Sequence, residues 1–187
     1  RPRRQATTHA RAACPTTHNG EQAMAGKALK EVVDAWVARE EIRGVREIDR
    51  PGDEHSIAFD YNIGDQTFEV FVDVEEEIGF LSVYIYAPIR APESRVNELI
   101  RVLNRKNGHL RVGSLEVVGE RRSIRYRASM PARPDALLPD DIERLVQLGG
   151  DLFHDVFPQV MAVLFGDVSA EDVWDIVKSA GKEQMMN

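Results

Sequence analysis

The chain has 187 residues, 43% hydrophobic and 29% charged, with a net charge of −7. That length suits one globular domain, which would bury roughly 70% of the surface its unfolded chain exposes and needs neither disulfides nor a metal to fold. The composition excludes a fibrous or wholly disordered chain, and no apolar run approaches the roughly 20 residues that span a bilayer.

Residues 1–23 carry four arginines and one glutamate, a net of +3, which leaves −10 for the remainder. They show no hydrophobic periodicity and no apolar segment of the secretory kind. They read as a disordered basic leader ahead of a single domain over 24–187, with Met24 opening the first periodic stretch. An acidic body repels phosphates, which disfavours nucleic-acid binding through it. The lone Cys14 has no internal disulfide partner, and the expected location is the cytoplasm.

From Lys27 to about Glu41, the residues Leu29, Val32, Val33, Trp36 and Val37 recur at helical spacing and predict one buried stripe. Gly44 is a natural stop, and Pro51-Gly52-Asp53 is a turn cluster. The period then becomes two. Ile57 and Phe59 open a strand, Gly64-Asp65 offers a tight hairpin, and Phe68, Val70, Val72 and Val74 alternate with Glu69 and Asp73. Leu81, Val83 and Ile85 alternate with Ser82, Tyr84 and Tyr86, completing a three-stranded meander.

Pro88 and Pro92 are expected to bound a loop, with Pro92 and Glu93 starting a helix. The buried face of that helix is set by Val96, Leu99, Ile100 and Leu103, and Asn107-Gly108 ends it. A hairpin follows, with Leu115 and Val117 on one strand and Ile124, Tyr126, Ala128 and Met130 on the other, joined by a turn from Gly119 to Arg122. Arg125 and Arg127 are placed on the polar side, toward solvent or the row of Glu69 and Asp73. Asp140 or Asp141 can cap a long helix carrying Ile142, Leu145, Val146, Leu152, Phe153, Val156, Val160 and Leu164. Gly149-Gly150 and Pro158 are expected to weaken, kink or restart it. Ser169, with Asp172 three residues on, is an N-cap for a last helix carrying Val173, Trp174 and Val177.

The fold class is therefore α+β: an antiparallel sheet, made of a three-stranded meander plus a hairpin, with helices packed on one face in the order α-β-β-β-α-β-β-α-α. Catalytic signatures are lacking. The glycines sit at turns and helix ends rather than in a phosphate loop, and the histidines are far apart with no zinc spacing. His154, beside Asp155, reads as a surface or helix-packing histidine, and His55 and His109 fall in turns. Asp73, Glu75, Glu76 and Glu77 lack the pattern of a calcium loop and read as a charged hairpin end. No catalytic residue, cofactor or metal ligand is assigned.

Four stretches carry a family resemblance: Phe80-Leu81-Ser82-Val83-Tyr84, the helix from Val96 to Asn107, Gly113-Ser114-Leu115-Glu116-Val117, and Ile124-Arg125-Tyr126-Arg127. Together with the element order from about Lys27 to Ala180, they resemble the YbjN-like family of bacterial proteins, labelled sensory transduction regulators, whose fold is similar to that of type III secretion chaperones. The resemblance implies a non-catalytic protein that binds protein segments and pairs with itself through the middle helix. Val96, Leu99, Ile100 and Leu103 are then the candidate interface. The expected function is a protein-binding module, chaperone-like or regulatory, whose partner is another protein or a second copy. The alternative is a small-molecule-binding protein or enzyme whose pocket draws on His154, Tyr126 or Asp155.

Overall fold

A computed structural model describes residues 28–49 and 54–174. The basic leader, the Pro51-Gly52-Asp53 turn and the last helix beyond residue 174 lie outside the described residues. Helix α1 (Leu29–Arg39) is followed by strands β1 (Arg46–Ile48), β2 (Glu54–Ile63), β3 (Gln66–Glu75) and β4 (Phe80–Arg90). A short 3-10 turn (Glu93–Arg95) leads into α2 (Val96–Asn107), then β5 (Ser114–Val118), β6 (Ser123–Pro131) and α3 (Pro139–Phe165). A further helix begins at Ala170.

The strands form one six-stranded antiparallel sheet in the order β1-β2-β3-β4-β6-β5. Period two sorts their side chains. Ile57 and Phe59, Phe68 to Val74, Leu81 to Ile85, and Ile124 to Ala128 place alternate residues in one core against the three helices. Among the described residues no helix covers the opposite sheet face. β1 was not expected: its three residues, Arg-Glu-Ile, are too few to show alternation, and it exists because β2 offers it an edge from Ser56 to Ala58.

Two corrections concern proline and glycine. Pro88 lies within β4 rather than in a loop. Between the pairs Tyr86–Arg125 and Arg90–Ser123, β4 has three residues where β6 has one, so the strand bulges there and tolerates a residue without an N–H. Helix α3 runs unbroken through Gly149, Gly150 and Pro158. The two glycines face the sheet. A Cβ at Gly149 would lie 2.5 Å from Tyr126 Cδ1 and 2.6 Å from Ile85 Cδ1, and one at Gly150 would lie 3.0 Å from Tyr61 Cε1. They are there for close helix–sheet approach, not to end a helix.

Local ends are held by side chains. Glu76, in the β3–β4 turn, accepts the Lys30 N–H at 2.9 Å and places a carboxylate at the positive end of α1. Asp141 accepts the Leu138 N–H at 3.0 Å as α3 begins. The Ser169 hydroxyl accepts the Asp172 N–H at 3.2 Å, capping the last helix as expected. Trp36 packs at 5.7 Å from the Phe59 ring while its indole N–H donates to Glu143 at 2.8 Å, tying α1 to α3. Asn107 does more than end α2: its amide accepts the Leu115 N–H at 2.8 Å and donates to the Leu115 carbonyl at 2.9 Å, occupying the outer edge of β5.

Replacing Gly149 by alanine removes a helix penalty of about 1 kcal/mol, yet it forces a methyl into the Tyr126 and Ile85 side chains. Overpacking of this kind costs about 1–3 kcal/mol, so Gly149→Ala is expected to lower the urea midpoint. At Gly150 the nearest atoms all belong to the outer end of half-buried Tyr61, at 3.0 Å and beyond, so Gly150→Ala is expected to fall closer to wild type in the same measurement.

Candidate functional site

The helix-free face of the sheet is organised in rows set by strand register. One row runs Asp60, Glu69, Tyr86, Arg125, Glu116; the next runs Arg46, Ala58, Phe71, Tyr84, Arg127, Ser114. A third passes through Ser56, Asp73, Ser82 and Ser129. Each position is a cross-strand neighbour of the next, so these side chains settle one another's charges and ring faces.

Asp60 and Glu69 stand directly opposite, a like-charge pair that disfavours the sheet unless a cation intervenes. Arg46 supplies it from β1, at 3.0 Å from Glu69 and 3.5 Å from Asp60. Ser56 donates to Asp73 at 2.5 Å, and the Ser82 and Ser129 hydroxyls meet at 2.8 Å. Arg125, expected toward solvent or the row of Glu69 and Asp73, lies in the row of Glu69 with Tyr86 between them, and β5 places Glu116 on its other side. Its Nε and Nη2 donate to one Glu116 oxygen at 2.9 and 2.8 Å, and Nη1 donates to the Tyr86 hydroxyl at 3.0 Å. The guanidinium lies 4.9 Å from the Tyr84 ring centre, and Phe71 meets Tyr86 edge-on at 5.5 Å. Burial lowers the Arg125 pKa, but the bonds to Tyr86 and Glu116 more than offset it, so the net shift is upward and the charge is permanent.

These residues floor a groove of about 510 Å³. β3 contributes Glu69, Phe71 and Asp73; β4 contributes Tyr84, Tyr86 and the bulged stretch to Arg90; and Arg121, Ser123 and Arg125 close the far side. Phe71, Tyr84 and Tyr86 are all half-exposed. The volume lies within the 300–1,000 Å³ range of ligand clefts. A second, smaller notch of about 340 Å³ lies between the β2–β3 hairpin and α3, lined by Ile63, Phe68, Phe153, His154, Phe157 and Met161 among others. His154 is exposed on its rim.

The four residues expected at an interface on α2 separate. Leu99 and Leu103 are 0% and 1% exposed and belong to the core, Val96 is half-buried, and Ile100 is 37% exposed. One side of α2 is also engaged by the start of the last helix: Glu98 accepts the Ala170 N–H at 3.1 Å, and Arg105 sits 4.6 Å from the Trp174 ring centre. Tyr126 lines neither groove. It is wholly buried, its hydroxyl has no partner among the described residues, and burial pushes its pKa up to about 12. Among the described residues no three His, Cys, Asp or Glu side chains converge to hold a metal ion, and no helix is long and apolar enough to cross a membrane.

His55 sits at the opposite end of the sheet, where Lys30 Nζ donates to its Nδ1 at 3.2 Å. Burial first, and then the Lys30 charge, hold its pKa below the usual value, against weaker opposing pulls from Asp34, Glu47 and Glu76. A native pKa below the unfolded value of about 6.5 means that the unfolded chain takes up a proton first. Stability is thus full above about pH 6.5 and declines as pH falls toward the lowered native value. The stability difference between wild type and His55→Gln is expected to shift against wild type between about pH 7.5 and about pH 5.5, followed by urea denaturation. A difference that stays constant across that range would contradict this assignment.

No curated protein matches the chain. The profile of the YbjN family, described as "Putative bacterial sensory transduction regulator", matches residues 30–162. That span takes in α1, all six strands, α2 and most of α3, including every residue lining the groove. The chain belongs to the YbjN family.

Proposed function

We propose that the protein is a non-catalytic regulatory module that docks a partner protein on the open face of its sheet. The observation that carries this is the one-sided packing: among the described residues all the helices cover one face, while the other presents half-exposed Phe71, Tyr84 and Tyr86 around a groove. Aromatic side chains flanked by arginine are the residues that most often dominate protein interfaces. The regulator description of the family agrees with such a role.

The plan of helix, meander, helix, hairpin and helix is, on this reading, that of a type III secretion chaperone used for a different contact. Pairing through α2 is the weaker choice. Its apolar residues Leu99 and Leu103 already serve the core, and Ile100 stands among exposed Asn97, Arg101 and Asn104. A second copy of the chain remains a candidate for the docked partner.

A photo-crosslinking residue placed at Phe71 in cells is expected to yield discrete protein adducts, and the same residue at Ile100 is not. Tyr84→Glu, which sets a carboxylate beside the groove, is expected to reduce the Phe71 adducts several-fold while leaving the urea midpoint near wild type. Adducts from Ile100 alone would place docking on α2 and overturn the proposal.

A further inference from the structure

The charges around the open-face groove are matched at one end and not at the other. Glu69 is held by Arg46, Asp73 accepts from Ser56, and Arg125 is held by Glu116. Arg90 and Arg121, which complete the lining, are exposed, and their side chains have no hydrogen bond or ion pair among the described residues. In a chain with a net charge of −7, two unmatched guanidinium groups on one groove make a local positive end.

These two residues are held together by backbone rather than left to wander on separate loops. The β4 bulge carries the chain to Arg90 and Ala91, and the β5–β6 turn carries Arg121 and Arg122. Ala91 and Arg122 clamp the two segments. The Ala91 N–H donates to the Arg122 carbonyl at 3.0 Å, and Arg122 Nε donates back to the Ala91 carbonyl at 2.9 Å. Arg122 adopts a left-handed backbone, φ 54°, to do so. Each clamped residue follows its groove arginine directly, so the clamp fixes Arg90 and Arg121, both of which line the groove, on adjoining segments. Bringing two like charges together is unfavourable unless an anion lies between them.

We propose that this groove binds a small phosphate monoester carrying a flat ring, with the phosphate between Arg90 and Arg121 and the ring against Phe71. Two guanidinium forks match the charge of about −1.5 to −2 that a phosphate monoester carries at neutral pH, and each can donate in the paired geometry that phosphate oxygens accept. The ring shelf is Phe71, because Arg125 lies over the rings of both Tyr84, at 4.9 Å, and Tyr86, at 5.9 Å. Glu69 and Asp73 stand two residues to either side of Phe71 on β3 and disfavour a second phosphate along the ring shelf, which argues for a monoester rather than a longer polyphosphate or a nucleic-acid strand. The site stands independently of protein docking and does not require it.

The full chain, labelled for NMR, is titrated with adenosine 5′-monophosphate and with phenyl phosphate, and separately with inorganic phosphate and adenosine. Saturable amide shifts confined to Glu69–Asp73, Tyr84–Arg90 and Gly119–Ser123 are expected with at least one ester. Inorganic phosphate and adenosine are expected to bind about ten-fold more weakly or worse, since each offers half of the recognised group. Response to the nucleotide alone assigns a purine-sized ring, and response to phenyl phosphate assigns a single ring; either supports the site. Arg90→Ala and Arg121→Ala should each weaken binding by about ten-fold, the loss of one charge-assisted contact, whereas Arg144→Ala, on α3 across the molecule, should not. No saturable shift with either ester would overturn the proposal, as would equal binding of inorganic phosphate or shifts indifferent to Arg90 and Arg121. The crosslinks from Phe71 are read separately, so loss of this site would leave the docking surface standing.

Discussion

Helix α3 approaches the sheet at Gly149 closely enough that one methyl group would overlap both Tyr126 and Ile85. That distance governs much of the molecule. It lets a 27-residue helix lie over the sheet and close the core, with α1 tied to one part of it by Trp36 and Glu143 and α2 packed nearby. It also fills the space around Tyr126 so fully that the ring is flanked on its other side by Gly113, where a Cβ would lie 2.3 Å from Cε2. A phenol hydroxyl without a partner among the described residues is carried in this core, a cost of roughly 1–3 kcal/mol that the packing of 34 buried apolar residues must outweigh.

With every helix among the described residues on one side, the other face of the sheet is made compatible with water by its own side chains. It does this through register. Arg46 separates Asp60 from Glu69, Glu116 meets Arg125, and Ser82 meets Ser129, so the polar positions resolve into cross-strand partnerships. The aromatic residues between them cannot be resolved in that way. Phe71 and Tyr86 turn edge to face, and Tyr84 takes a guanidinium on its ring, yet all three stay half-exposed. Among the described residues the face is therefore largely settled electrostatically and hydrophobically unfinished, with Arg90, Arg121 and Arg127 left without a side-chain partner.

The meander and the second hairpin could be read directly from residues because alternation is a local signal: Phe68 to Val74, Leu81 to Ile85 and Ile124 to Ala128 each record which side of the sheet they face. The caps at Ser169 and the ends of α2 were legible for the same reason. The partner of Arg125 was within reach as well. A turn from Gly119 to Arg122 already pairs Val118 with Ser123, and counting back two residues on each strand puts Glu116 opposite Arg125. What was not legible depends on residues far apart in the chain. Gly149-Gly150 looks like a break until Tyr126 and Ile85 are brought against it, and the groove exists because β4 gains two residues on β6 after Tyr86. No period in the sequence records either event.

The amide of Asn107 gives the two ends of the sheet different characters. At β5, Leu115 already has both backbone groups engaged, so an incoming strand would have to displace a side chain that costs nothing to keep. At the other end β1 pairs with β2 only from Ser56 to Ala58, and β2 continues to Ile63 beyond it. Head-to-tail stacking of sheets requires two receptive edges on every copy, one to give and one to receive. A molecule with one edge stoppered can join at most a single neighbour by strand pairing, so any such assembly would terminate at a pair and could not grow into a fibre.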